Sequence, residues 1–143
     1  MGKCYNSTIV DASVETVWEM IKDFHKVSWG DKVIKKIDKV GDLSGVEVGA
    51  KRILNEVFHE TLQSIDSKNH SFSYSIDDGP GPVNKDSVSN YIGKVSLYPV
   101  TDLGKTFVEW VSTYESDSDN EVGDFCNPIY AGLLSSLKSN LNP

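Results

Sequence analysis

The sequence predicts an α+β fold in which a curved, seven-stranded antiparallel sheet wraps a long C-terminal helix, with two short helices after the first strand. Three observations predict it. Val48 to Ile76 holds three short alternating runs, each closed by turn residues. One amphipathic helix pattern lies upstream of them, and a second occupies the C-terminus. Two longer alternating runs fill the interval between the short runs and the last helix. Such a sheet gripping a helix leaves room for a cavity between the two layers.

The elements follow in order. Tyr5 to Val10 reads as a first strand with Tyr5, Ser7 and Ile9 on one face. Ser13 is a suitable N-cap for a helix carrying Val14, Val17, Trp18, Ile21 and Phe24 at helical spacing and ending near His25. Lys26 to Asp31 is a second short helix or a turn. Val33 to Val40 is an irregular strand, and Gly41 to Gly45 is a turn. Ala50 to Asn55, Val57 to Ile65 and Ser71 to Ile76 are three strands, the last two joined by a hairpin loop at Asp66 to Asn69. Asp77 to Pro82 breaks regular structure. Ser87 to Tyr98 and Thr106 to Tyr114 are the two longest strands, separated by Thr101 to Gly104.

Ser118 to Glu121 resembles a capping box. Val122, Phe125, Ile129, Leu133, Leu137 and Leu141 then form one helical stripe, which Pro128 should kink or split. The first strand is separated from the rest by helix, so it should pair at the far side of the sheet. No repeat or linker divides the chain, and residues 1–143 read as one domain.

Composition narrows the function classes. The 143 residues are 38% hydrophobic, enough for a real core. A formal charge of −7 argues against nucleic acid or an anionic membrane as partner. The acidic run Glu115 to Glu121 reads as a solvated turn and helix cap, and no residue set has metal-ligand spacing; no metal or cofactor is expected. Cys4 and Cys126 lie outside any paired motif and read as reduced thiols of a cytoplasmic protein. No secretory signal pattern opens the chain, and no apolar run is long enough to span a bilayer.

Alternation suggests the inner faces. Phe58, Glu60, Leu62 and Ser64 share one face; Phe72, Tyr74 and Ile76 share the next. On the long strands the corresponding sets are Ser89, Tyr91, Gly93, Val95 and Leu97, then Phe107, Glu109, Val111 and Thr113. These faces suit an apolar pocket with a few convergent polar groups, or simply a packed core. Glu60 and Glu109 are the sharpest candidates, because a carboxylate facing a cavity must be paired, hydrated or protonated. Arg52, Tyr74 and Tyr91 could partner them, and a proton shared between Glu60 and Glu109 would permit acid–base chemistry. Trp29 could line the cavity mouth or pin its own segment. Trp110 falls on the face opposite Glu109, where exposure would mark a partner surface.

The strand-to-helix run from Ile9 to Trp18 (IVDASVETVW), Trp29, Val48 to Arg52 (VGAKR), Glu60 to Leu62 with Asp66 beyond, Phe72 to Tyr74 and Gly132 to Lys138 together resemble the START-related helix-grip superfamily. That group includes polyketide cyclase/dehydrase-type proteins, plant pathogenesis-related proteins and abscisic-acid receptors. The resemblance covers nearly the whole chain. It is closer to the cyclase-like branch, since Gly41 to Gly45 and Asp78 to Pro82 do not reproduce the receptors' gate and latch. It implies a cavity for a lipid-, aromatic- or polyketide-like small molecule, with carboxylates such as Glu60 and Glu109 toward the pocket.

The expected ligand-binding set is Trp29, Phe58, Glu60, Leu62, Phe72, Tyr74, Tyr91, Phe107, Glu109, Val111, Phe125, Ile129 and Leu133, with Glu60, Glu109 and Tyr91 the catalytic candidates. The loops Gly41 to Gly45 and Gly79 to Pro82 would control entry. The alternatives are a cyclase or dehydratase using a cavity carboxylate as base, and a protein-interaction module like the chaperone activators of this fold. The protein would be a monomer or homodimer.

Overall fold

The computed structural model describes residues 1–141. Seven antiparallel strands form one sheet in the order β1-β7-β6-β5-β4-β3-β2. They are β1 (Gly2–Val10), β2 (Ile37–Val40), β3 (Lys51–Leu54), β4 (Phe58–Asp66), β5 (Ser71–Asp78), β6 (Val88–Val100) and β7 (Lys105–Ser116). The helices are α1 (Val14–Ile21) and α2 (Asp119–Leu141), with 3₁₀ turns at Ser28–Gly30 and Gly81–Val83. From β2 to β7 the chain is a meander. As expected for a strand isolated by helix, β1 crosses to the far edge and pairs with β7, Gly2 opposite Tyr114 and Val10 opposite Thr106.

Ser13 caps α1, its hydroxyl accepting from the Thr16 amide at 3.3 Å. The helix buries Val14, Val17, Trp18 and Ile21. It stops at Ile21, earlier than the apolar spacing suggests. The Asp23 carboxylate accepts the His25 amide at 2.9 Å, and the Phe24 amide donates to the Gly45 carbonyl at 2.9 Å. Phe24 thus enters the core from a turn, not from the helix.

Two further boundaries differ from expectation. The Val33 and Ile34 amides donate to the Gly30 carbonyl at 2.9 and 2.8 Å, so Val33 and Ile34 continue the turn and β2 begins only at Ile37. Of the two outcomes expected at Pro128, a kink or a split, the split does not occur: α2 is one helix through Pro128. Pro128 and Asp124, whose carbonyl loses its donor, are both exposed, so water can serve there. The buried stripe is Val122, Cys126, Tyr130, Leu133, Leu134 and Leu137, whereas Phe125 and Ile129 are half-buried at its margin.

Candidate functional site

The sheet curves over α2, and between them lies a cavity of about 50 Å³. Its wall comes from the Ser28–Gly30 turn and the residues after it (Trp29, Val33, Ile34), from β3 (Arg52, Leu54), the β3–β4 turn (Asn55), β4 (Phe58, Glu60), β5 (Tyr74, Ile76), β7 (Trp110) and α2 (Cys126, Ile129, Tyr130, Leu133). Strand alternation brings Arg52 inward opposite Glu60, its antiparallel partner.

Arg52 and Glu60 form a buried ion pair. Arg52 Nε and Nη2 donate to Glu60 Oε1 at 2.9 and 2.7 Å, and Nη1 donates to the Phe24 carbonyl at 3.0 Å. The guanidinium lies over the Phe24 ring, 3.7 Å from its centroid. Side-chain exposures of 6% and 7% remove both charges from bulk water. Desolvation pushes the Glu60 carboxyl above the usual carboxylate range, and the Arg52 charge works in the opposite direction.

Deeper in, hydroxyl groups satisfy one another. Trp110 Nε1 donates to Tyr74 Oη at 3.0 Å, Tyr74 Oη donates to Tyr130 Oη at 3.2 Å, and Ser112 Oγ donates to Tyr130 Oη at 2.8 Å. The Tyr91 and Tyr130 hydroxyls are also paired. Burial raises the Tyr74, Tyr91 and Tyr130 phenols well above their ordinary value, so all three are protonated donors at neutral pH. Gly93 is what allows Tyr74 its place: a Cβ there would lie 2.4 Å from Tyr74 Cζ.

Six of the expected residues stand at the cavity wall: Trp29, Phe58, Glu60, Tyr74, Ile129 and Leu133. Leu62, Phe72 and Tyr91 are buried in the core beside it, and Phe125 packs on Phe58 with ring centroids 6.4 Å apart. Phe107, Glu109 and Val111 do not belong to the site. The inward face of β7 is Thr106, Val108, Trp110, Ser112 and Tyr114, and the Glu109 face looks outward. Glu109 accepts from the exposed Tyr5 hydroxyl at 2.9 Å. The shared proton between Glu60 and Glu109 is therefore excluded by their opposite faces. Trp110 is 4% exposed and inside, so no partner surface forms around it.

The misassignment has a physical cause. Both faces of β7 carry apolar residues, so alternation alone does not say which is inside; the bulkier set filled the space against α2. Ser64 and Ser89 also face solvent, because register shifts beyond Leu62 and at Ser89/Ile92 change the parity of β4 and β6. Asn90, at φ 52°, makes the second of these.

The cavity wall does not include the expected entry loops. The Gly41 to Gly45 and Gly79 to Pro82 loops contribute nothing to the lining among the described residues. Asn55 does. It sits at φ 53°, its Oδ1 accepts the Lys35 and Lys36 amides at 2.7 and 3.1 Å, and its Nδ2 donates to the Val33 carbonyl at 3.0 Å. This clasp ties the Val33–Lys36 segment to the β3–β4 turn. Sequence reasoning missed it, since the bonds depend on a fold-wide approach of the two segments.

The model of the family described as polyketide cyclase/dehydrase and lipid transport matches residues 1–142. The chain belongs to that family. A solved structure from Nitrosospira multiformis is 42% identical over 97% of this chain and 95% of its own, with a TM-score of 0.94. XoxI from Bacillus cereus is 24% identical, with 99% and 96% of the chains covered and a TM-score of 0.80. The major latex-like protein 151 of Panax ginseng is 14% identical, with 99% and 98% covered and a TM-score of 0.78. The last two show the shared helix-grip fold. No curated protein matches the chain. Among the described residues, no helix is long and apolar enough to cross a membrane.

Proposed function

We propose that this family member is a one-domain binder of a hydrophobic or amphipathic small molecule, held between the curved sheet and α2. The observation that carries the reading is the cavity wall itself. It is aromatic and aliphatic apart from the Arg52–Glu60 pair, Asn55, Cys126 and the paired Tyr74 and Tyr130 hydroxyls, the composition of a ligand pocket. A volume of about 50 Å³ is below the roughly 300–1,000 Å³ of drug-sized pockets, so the ligand enters by moving the wall. The Val33–Lys36 segment lies outside the sheet ladder and is tied to the β3–β4 turn by the Asn55 side chain and by the Asn55 amide, which donates to the Lys36 carbonyl at 2.8 Å.

The cyclase or dehydratase alternative requires a carboxylate free to take a proton. Both Arg52 bonds fall on Glu60 Oε1 and hold the carboxylate in an ion pair with a fixed cation, which favours binding over base catalysis. The reading places the protein in the cytoplasm, where the free thiols of Cys4 and Cys126 stay reduced, as a monomer or homodimer.

Native mass spectrometry of protein purified from its own host tests the proposal. A co-purifying small molecule is the expected result. An unloaded protein that also leaves Nile red fluorescence unchanged on titration would sink it.

A further inference from the structure

We infer that the cavity selects a neutral, flat, ring-bearing molecule and anchors it by an acceptor oxygen on the indole Nε1–H of Trp29. This rests on the ligand-binding reading above and adds the chemistry of the occupant. Trp29 lines the cavity and is 5% exposed, yet its Nε1 has no hydrogen-bond partner among the described residues. Buried donors are rarely left unpaired in native interiors, and leaving one so is costly. The other three polar tryptophan and tyrosine groups at the wall are spoken for: Trp110 Nε1 by Tyr74, the Tyr74 hydroxyl by Tyr130, and the Tyr130 hydroxyl by Tyr74 and Ser112.

The position of Trp29 is set independently of any ligand. Ser136 Oγ and Asn140 Nδ2 donate to its backbone carbonyl at 2.9 and 3.0 Å, tying this residue to α2. Its ring meets Trp110 at 6.2 Å between centroids, and Trp110 meets Tyr130 at 4.9 Å. An aromatic wall of that kind favours a planar ring.

Charge decides the rest. Both Arg52 bonds to Glu60 fall on Oε1, and no described residue bonds Oε2. The pair is net neutral, and Arg52 is further committed to the Phe24 carbonyl. A ligand carboxylate or ammonium would find no unpaired counter-charge in the wall, and burying it there would be expensive. A ketone, quinone or ether oxygen needs only the Trp29 donor, and a ligand hydroxyl could in addition donate to Glu60 Oε2.

The test uses three probes of one shape on the full chain: acetylnaphthalene (neutral with an acceptor), ethylnaphthalene (neutral without one) and naphthoate (anionic). Dissociation constants are read by isothermal titration, and the three indole N–H resonances by ¹H–¹⁵N spectra. The ketone should bind at least about fivefold tighter than the hydrocarbon, the worth of one recovered hydrogen bond, with naphthoate weakest. The Trp29 indole resonance should move with the ketone and not with the hydrocarbon. Trp29→Phe should bring the ketone-to-hydrocarbon ratio toward one.

Equal affinities in the wild-type protein, a ratio that survives Trp29→Phe, or tightest binding by naphthoate would each overturn the inference while leaving a ligand-binding cavity in place. A Trp29 resonance unmoved by bound ketone would do the same. If none of the three probes binds, the inference falls too, and Nile red titration then decides whether the broader ligand-binding reading falls with it. The resonance measurement needs no variant, so a Trp29→Phe protein that fails to fold does not remove the test.

Discussion

Arg52→Met should be among the most damaging single substitutions in the protein. It leaves the Glu60 carboxylate, with 7% side-chain exposure, without its guanidinium. Breaking a buried pair from one side costs about 3–5 kcal/mol, because the remaining charge keeps its desolvation penalty. Arg52→Met also loses the bond to the Phe24 carbonyl and the stacking on the Phe24 ring. With a urea slope of about 2 kcal/mol/M, the unfolding midpoint should fall by about 2 M at pH 8.

The deficit should depend on pH in a defined direction. Burial raises the folded-state carboxyl of Glu60 above its reference of 4.5, and nearby Asp77 raises it further. A group raised in the folded state loses its stabilising contribution as pH climbs through the folded value. Without Arg52 that value rises more, so the loss relative to wild type should shrink on going from pH 8 to pH 5. The paired substitution Arg52→Met with Glu60→Leu should recover most of the stability at both pH values, since an apolar replacement leaves no charge stranded. A deficit below about 1 kcal/mol at pH 8, equal at pH 5, would refute the reasoning and mean that Glu60 is solvated.

Gly93→Ala should cost about 1–3 kcal/mol through overpacking against Tyr74, with loss of near-UV circular dichroism from the Trp110 environment. Wild-type stability and spectrum in this variant would show that Tyr74 does not lie across the strand. Asn55→Gly keeps the positive-φ turn but removes the clasp, so the Lys35 and Lys36 amides should exchange with deuterium at least about tenfold faster, as expected for a lost hydrogen bond. Unchanged protection would mean that the segment is held by other contacts. Glu109→Gln should alter stability by no more than about 0.5 kcal/mol and leave ligand affinity untouched, because Glu109 faces outward. A loss of ligand affinity in that variant would place its carboxylate at the cavity after all.

The elements and their order were legible because their signals are local. Ser13 followed by Val14, Val17, Trp18 and Ile21 specifies a capped amphipathic helix within one short window. The turn at Asp66 is equally local, its carboxylate accepting the Lys68 and Asn69 amides at 3.1 and 3.0 Å. The inward placement of Phe58, Glu60, Tyr74 and Tyr91 also followed from strand period, since those stretches carry polar residues on the other face.

Where the pattern was symmetric, only tertiary packing could choose. By itself the sequence determined a sheet of seven strands, a closing helix and six of the residues that line the space between them. The tertiary structure decided that β7 turns Trp110 and not Glu109 inward, that Arg52 meets Glu60, and that Asn55 rather than the glycine-rich loops holds the cavity wall. These choices depend on volumes and hydrogen-bond partners brought together from distant parts of the chain. Residue period is a property of a few neighbours, whereas which face is buried depends on what the opposite layer can accommodate.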